Sequence, residues 1–346
     1  MLDSLELRKG CSGAPPERGA PALAPAAVDL CELGNKLAVF ARFQRAGAFA
    51  GRGALPALAA RARSLPAWES VWVVEGVAHA WTLSALAAGV PAARLLGPAL
   101  DAIPRSCWLP LHTGLGLALG GRALDRAAAG ADLGSVLNTF SADCRAAARP
   151  GYARAAFEGL GFAARTLRSG LVPAIDRALL RQAPHLAGAF WHGAGRGLYF
   201  VPAHALAGAL PRAFAAAQRE PPHELGRANA ITGLAWALAL VNLRHPAVLE
   251  RALGTIATFE TLANAPGARA AFAAGVSGAA AVWIDVRGRE ATFDELLAHR
   301  PTAAAAVAWR ELVRDPARAA LARQRQLARE GKLDALFAVP APGRAS

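Results

Sequence analysis

The stretch Trp191-His-Gly-Ala-Gly-Arg-Gly-Leu-Tyr-Phe-Val201 decides how the rest of the chain is read. It carries Gly193, a small residue two positions on (Gly195) and another four positions on (Gly197). The same spacing recurs at Gly76-Ala78-Ala80, Gly114-Gly116-Ala118, Gly159-Gly161-Ala163, Gly233-Ala235-Ala237 and Gly275-Ser277-Ala279. The leading glycines stand 38, 45, 34, 40 and 42 residues apart, which is the length of a helical hairpin. Glycine inside a helix costs ~1 kcal/mol relative to alanine, so its return at one point of each segment needs a reason. Positions i and i+4 share a helix face, and small residues at both let a neighbouring backbone come close. The expectation is an all-α protein of about six helical-hairpin repeats, period near 40, closed as an α/α toroid or left open as a curved solenoid.

Composition agrees. Of 346 residues 54% are hydrophobic, alanine is abundant and β-branched runs are scarce, which favours helix over strand. The net charge is +13, but Lys9, Lys36 and Lys332 are the only lysines. Arginines supply the rest, scattered rather than blocked and without the aromatic interleaving of nucleic-acid platforms, so nucleic-acid binding is disfavoured. Cys11, Cys31, Cys107 and Cys144 have no CxxC spacing and read as free thiols of a reducing compartment. Asp3 and Glu6 precede any apolar run, unlike a secretory signal. The apolar stretches 228–243 and 268–284 fall short of a membrane span of about 20 residues. A cytoplasmic protein without a transmembrane segment is expected.

Proline punctuates the chain where helices should end. Residues 1–27 read as a flexible arm, 28–315 as one helical-repeat domain, and 316–346 as a basic helix followed by a Pro/Ala/Gly tail. Leu30, Leu33, Leu37 and Phe40 are spaced to bury one face of the first helix. Helices are predicted near 69–88, 108–128, 136–148 (capped by Asp132 or Ser135), 151–169, 174–182, 206–218, 224–243, 247–264, 294–299, 302–313 and 316–330. The sixth glycine helix begins at Pro266 and breaks between Asp285 and Gly288.

If the glycine helices line a common interior, the polar residues beside the glycines converge. These are Glu75, His79, His112, Glu158, His192, Arg196 and, further off, Asp285. Glu75 and His79, at i and i+4, suit an acid/base pair or an ordinary surface pair. Carboxylates and histidines on separate helices suggest a metal bundle, but its Glu-x-x-His signature is missing, so no metal and no cofactor is expected. His112 and His192 read either as hydrogen-bonded core residues or as working ones. A buried Arg196 needs a partner; Glu158 is the structural candidate, and a substrate carboxylate or enolate oxygen the functional one. No nucleophile elbow, phosphate loop, dinucleotide fingerprint or zinc spacing is present.

Taken in series, several segments resemble a bacterial family of unknown function associated with enediyne biosynthesis accessory proteins. They are Glu75-Gly76, His112-Thr-Gly114-Leu-Gly116-Leu-Ala118-Leu119, Gly151-Tyr152 with Glu158-Gly159, Gly193-Ala-Gly195-Arg196-Gly-Leu198-Tyr-Phe-Val201, and Thr232-Gly233-Leu-Ala. Their order and spacing match over about 30–285; Tyr199 stands where the family has Trp, and the Glu-Gly segment lacks its aromatic lead. The resemblance implies a role in making enediyne-like polyketides.

Two functions stay open. One is an enzyme of cofactor-independent, cyclase- or isomerase-like activity that holds an apolar polyene or polyketide intermediate in a helical cavity. Trp72, Trp81, Phe162, Trp191, Tyr199, Phe200 and Trp236 would form its walls, and the Glu/His/Arg set would move protons. The other is a non-catalytic scaffold that binds a partner biosynthetic protein. The first requires the polar set to be clustered and enclosed, the second scattered or satisfied in pairs.

Overall fold

A computed structural model describes residues 24–50, 54–201, 209–257, 266–337 and 339. These residues form α-helices and short 3-10 turns, with no strand among them. In chain order the helices are α1 (Pro25–Ala50), α2 (Leu55–Arg63), α3 (Ala67–Ala87), α4 (Trp108–Ala128) and α5 (Leu133–Ala147). Next come α6 (Ala153–Leu167), α7 (Val172–Gln182), α8 (Ala187–Phe200), α9 (Leu210–Arg219) and α10 (Glu224–Asn242). Then follow α11 (Pro246–Ala257), α12 (Pro266–Arg287), α13 (Ala291–Ala298), α14 (Ala306–Trp309) and α15 (Asp315–Glu330). A π-helical turn, Arg310–Arg314, joins the last two.

The six glycine helices α3, α4, α6, α8, α10 and α12 pack each against the next, with α1 before them and α15 after. The glycines make the crossings. A Cβ on Gly114 would strike the Glu75 carbonyl, on Gly193 the Glu158 carbonyl, on Gly233 the His192 carbonyl and on Gly275 the Thr232 carbonyl. In each case the obstacle belongs to the residue just before the leading glycine of the preceding glycine helix. The second glycines face the other way: Gly116, Gly161 and Gly195 press on Ala156, Phe190 and Ala230, each three residues before the next leading glycine. Only hydrogen fits there, so the conformational cost of a mid-helix glycine is offset by close packing.

The helices between them are less uniform than the sequence suggests. α5, α7, α9 and α11 alternate with the glycine helices, but α3 and α4 are joined only by the 3-10 turns Ala92–Arg94, Pro98–Ala102 and Arg105–Cys107. Asp132 rather than Ser135 caps α5, accepting from the Ser135 amide at 2.7 Å. One cluster of buried apolar side chains runs from Val39 to Phe337 and includes residues of α15.

Several expectations need correction. α1 begins at Pro25, and its Leu30, Leu37 and Phe40 are exposed (56, 59 and 42%). Its buried face carries Val28, Cys31, Asn35, Lys36 and Val39 instead. The polar members of that face have distant partners. Asn35 donates to Asn242 at 2.9 Å, and Asn242 donates to the Tyr199 hydroxyl at 2.7 Å. The Lys36 ammonium lies 4.0 Å from the Tyr199 ring centroid. The helix expected over 206–218 is seen as Leu210–Arg219, its first residues lying outside the described ones, as does 258–264 of the helix expected over 247–264. α12 is longer than its apolar stretch, and Gly267–Arg287 is long and apolar enough to cross a membrane. That segment is mostly buried, packed between α10 and α15. Cys107 and Cys144 are buried free thiols, Cys31 is buried beside Asn35, and Cys11 lies outside the described residues.

Candidate functional site

The crossings decide which polar residues meet. Glu75, Glu158 and His192 each directly precede a leading glycine, so their backbones lie at the contacts between α3 and α4, α6 and α8, and α8 and α10. Arg196, one turn after His192 on α8, reaches across. Its Nη2 donates to Glu75 Oε1 at 2.5 Å and its Nη1 to Glu158 Oε2 at 3.1 Å. His192 Nδ1 stands 3.5 Å from Glu158 Oε1. All four residues are buried, none more than 3% exposed. Two aromatic rings cover the guanidinium: Phe162 at 4.7 Å and Trp236 at 5.2 Å from its carbon.

The charges do not cancel. A guanidinium stays protonated in proteins, so two ionised carboxylates beside it leave one negative charge in apolar surroundings. Burial pushes the Glu75 carboxyl up, and the Arg196 charge does not fully undo this. Burial pushes Glu158 up as well, but Arg196 and His192 outweigh it and hold Glu158 below the usual carboxylate range. Burial disfavours the Arg196 charge, and the two carboxylates more than restore it. Glu75 is therefore the carboxyl that retains a proton more readily, and Glu158 the one that stays ionised.

Part of the cluster has no hydrogen-bond partner. His192 Nδ1 and Nε2, Glu158 Oε1, Arg196 Nε and Trp236 Nε1 are buried and make no hydrogen bond. His192 Nδ1 and Glu158 Oε1 at least face each other, 3.5 Å apart, but His192 Nε2, Arg196 Nε and Trp236 Nε1 do not, and buried polar atoms are paired in the great majority of cases. The His192 ring sits edge-on to Trp236 and Phe337, with centroids 6.1 and 5.7 Å away. Chemically the group offers a carboxyl that holds a proton, an imidazole open to accept or donate one, and an indole donor. Arg196 is not an anion site, because both its terminal nitrogens already serve carboxylates.

The other sequence candidates lie elsewhere. His79, half-buried and one turn beyond Glu75, packs its ring on Phe43 at 5.3 Å, and burial lowers its pKa. His112 is fully buried, but its Nδ1 bonds the Trp108 carbonyl at 2.7 Å and its Nε2 accepts from the Arg149 amide at 3.1 Å. Asp285 accepts from Gln324 at 2.8 Å. Of the aromatic set, Phe162 and Trp236 touch Arg196, and Phe200 lies one ring away, 5.9 Å from Phe162. Trp191 donates its indole N–H to Asp176 at 2.7 Å, Tyr199 bonds Asn242, Trp72 packs on Trp68, and Trp81 is half-buried in the last turns of α3. Among the described residues no group of three His, Cys, Asp or Glu side chains is placed to hold a metal ion.

Two buried arrangements were missed. Asp176 of α7, buried beneath Trp191, also meets His223 Nε2 at 3.0 Å, while His223 Nδ1 accepts from the Gly226 amide and caps α10. The turn Leu333–Phe337 brings Phe337 over His192. Neither carries a local motif; each joins segments far apart in the chain. No known family, curated protein or solved structure matches the chain.

Proposed function

We propose that the chain is an accessory protein of natural-product biosynthesis that holds or transforms an apolar, enediyne-like polyketide or polyene intermediate. The chemistry is cofactor-independent proton transfer of the cyclase or isomerase kind at Glu75, Glu158, His192 and Arg196. The carrying observation is that these four side chains, from three helices, form one buried group whose imidazole makes no hydrogen bond. Replacing a buried ion group by apolar residues of similar volume is often neutral or stabilising, so stability alone does not account for such a group. Glu75 would supply the proton, His192 would accept one, and Arg196 would hold Glu158 ionised and Glu75 in place. The link to polyketides rests on the sequence resemblance. On this reading the glycine helices are a helical repeat curved around the group, as a toroid or an open solenoid.

One observation favours a second reading. Arg196 joins α8 to α3 and α6 as a cross-brace, which a non-catalytic scaffold binding another biosynthetic protein would also use. Native mass spectrometry of the protein purified from its producing cells separates the two. The first reading predicts an excess organic mass that is lost on denaturation and absent from the Arg196→Met and His192→Asn variants. A bare chain retained with a second protein, unchanged by those variants, would overturn it in favour of the scaffold.

A further inference from the structure

The side of the cluster that faces α10 is closed by the chain's own C-terminal segment. α15 is capped by Gly331, whose left-handed conformation (φ +66°) turns the chain back. The turn Leu333–Phe337 then runs from the start of α6 towards α10. At its near end the Asp334 amide donates to the Gly151 carbonyl at 3.0 Å, and the Asp334 carboxylate accepts from the Arg154 amide at 3.2 Å. At the far end Asn229 of α10 grips one residue twice. Its Oδ1 accepts from the Val339 amide at 2.8 Å, and its Nδ2 donates to the Val339 carbonyl at 3.1 Å. Between these anchors Phe337 is 1% exposed, its ring 5.7 Å from His192 and 6.1 Å from Trp236.

We propose that this turn is a releasable strap, and that Phe337 holds the place of the substrate's apolar part against His192 and Trp236. The inference rests on the reading of the cluster as the working site. α8 and α10 hold His192 and Trp236 by ladders of helical hydrogen bonds, whereas the strap is a single short turn held by its two end anchors and by the burial of Leu333, Leu336 and Phe337. Opening it breaks the anchor bonds and exposes these three apolar side chains, a smaller loss than unfolding α8 or α10. Lifting the strap uncovers the His192 ring and the Trp236 indole N–H, neither of which has a hydrogen-bond partner. The chemistry of the uncovered face defines the ligand class. It is a flat, largely apolar molecule with a hydrogen-bond acceptor for the indole, and neutral rather than anionic because both terminal nitrogens of Arg196 are already taken by Glu75 and Glu158.

The test combines amide hydrogen exchange with carbethoxylation of His192 by diethyl pyrocarbonate, read by peptide mass. Cys144, fully buried on α5, reports global opening through its labelling by N-ethylmaleimide. The strap amides should exchange roughly a hundredfold faster than those of α8, and His192 should label at the strap's opening rate, ahead of Cys144. Asn229→Leu removes both bonds to Val339 and should speed strap exchange and His192 labelling roughly tenfold, leaving Cys144 unchanged. Asp334→Ala, at the other anchor, should do the same. Strap amides as slow as α8, or His192 labelling in step with Cys144 in every variant, would overturn the strap. A strap that opens on a protein retaining no organic ligand would instead sink the proposed function and leave the strap standing.

Discussion

His112 and His192 stand beside the leading glycines of the second and fourth motifs, and both are completely buried. Their surroundings differ. His112 has a backbone partner on each ring nitrogen and a stacked neighbour in Tyr152, 4.9 Å away. His192 has a carboxylate at 3.5 Å, no hydrogen bond, and aromatic edges on two sides. The first is a finished piece of structure that ties α4 to the loop before α6. The second belongs to a charged group whose valences are left open. Burial alone therefore says little about function; what matters is whether the buried group's hydrogen-bonding capacity is used.

The most disruptive way to break this comparison is Arg196→Met. It leaves Glu75 and Glu158 facing each other without a counter-charge, and removing one partner of a buried ion group costs ~3–5 kcal/mol. Thermal unfolding should show the loss at neutral pH, with partial recovery on acidification as the carboxyls take up protons. A variant that unfolds at the wild-type temperature would mean that water reaches the group, which the burial of all four side chains contradicts.

Intermediate effects come from exchanging the two imidazoles for phenyl rings. His112→Phe strands the Arg149 amide, a loss of ~1–3 kcal/mol, whereas His192→Phe forfeits no hydrogen bond and should cost less. His112 also makes stability depend on pH. Burial pushes His112 down to about 4, the Trp108 carbonyl opposing this in part. Its folded pKa lies below the unfolded value near 6.5, so the unfolded chain takes up the proton first as pH falls. Stability is then full above about 6.5 and is lost between there and about 4, by ~3 kcal/mol for a shift of this size. His112→Phe should remove that part of the acid sensitivity. His245, also pushed down to about 4 by burial, keeps a similar part. Unfolding temperatures at pH 7 and pH 4.5 give the comparison; equal acid sensitivity in wild type and His112→Phe would refute it.

The same pair shows what was legible in the sequence. Glycine spacing and proline punctuation revealed the helices, because they act within a helix or at its ends. Even the Arg196–Glu158 pair followed from the need of a buried charge for a partner. The register around the glycine was not used. Glu75, Glu158 and His192 stand one residue before their glycines, but His112 stands two before Gly114. One residue is about 100° around a helix, which is enough to turn His112 out of the group. Leu30, Leu37 and Phe40 misled for a related reason. Their spacing is helical, but the opposite face of α1 is the buried one, since Asn35 and Lys36 find Asn242 and Tyr199 far along the chain. A hydrophobic pattern cannot show such partners, and neither could it show Phe337 arriving over His192.

The smallest expected effect is the most informative. Glu75→Gln keeps an acceptor for Arg196 and removes only the titratable proton. Glu75 has a folded pKa raised by burial above the ordinary carboxylate value. Its contribution is therefore intact below that ordinary value and is lost as pH rises through the raised one. The Gln variant has no such loss, so at neutral pH it should match or slightly exceed the wild type, within ~1 kcal/mol. Product formation should nonetheless disappear, because the variant has no proton to give. If Glu75→Gln instead lost several kcal/mol, Glu75 would be ionised and bracing Arg196 by its charge. The open valences of His192 would then be the only mark of function left in the group, and the scaffold reading would gain.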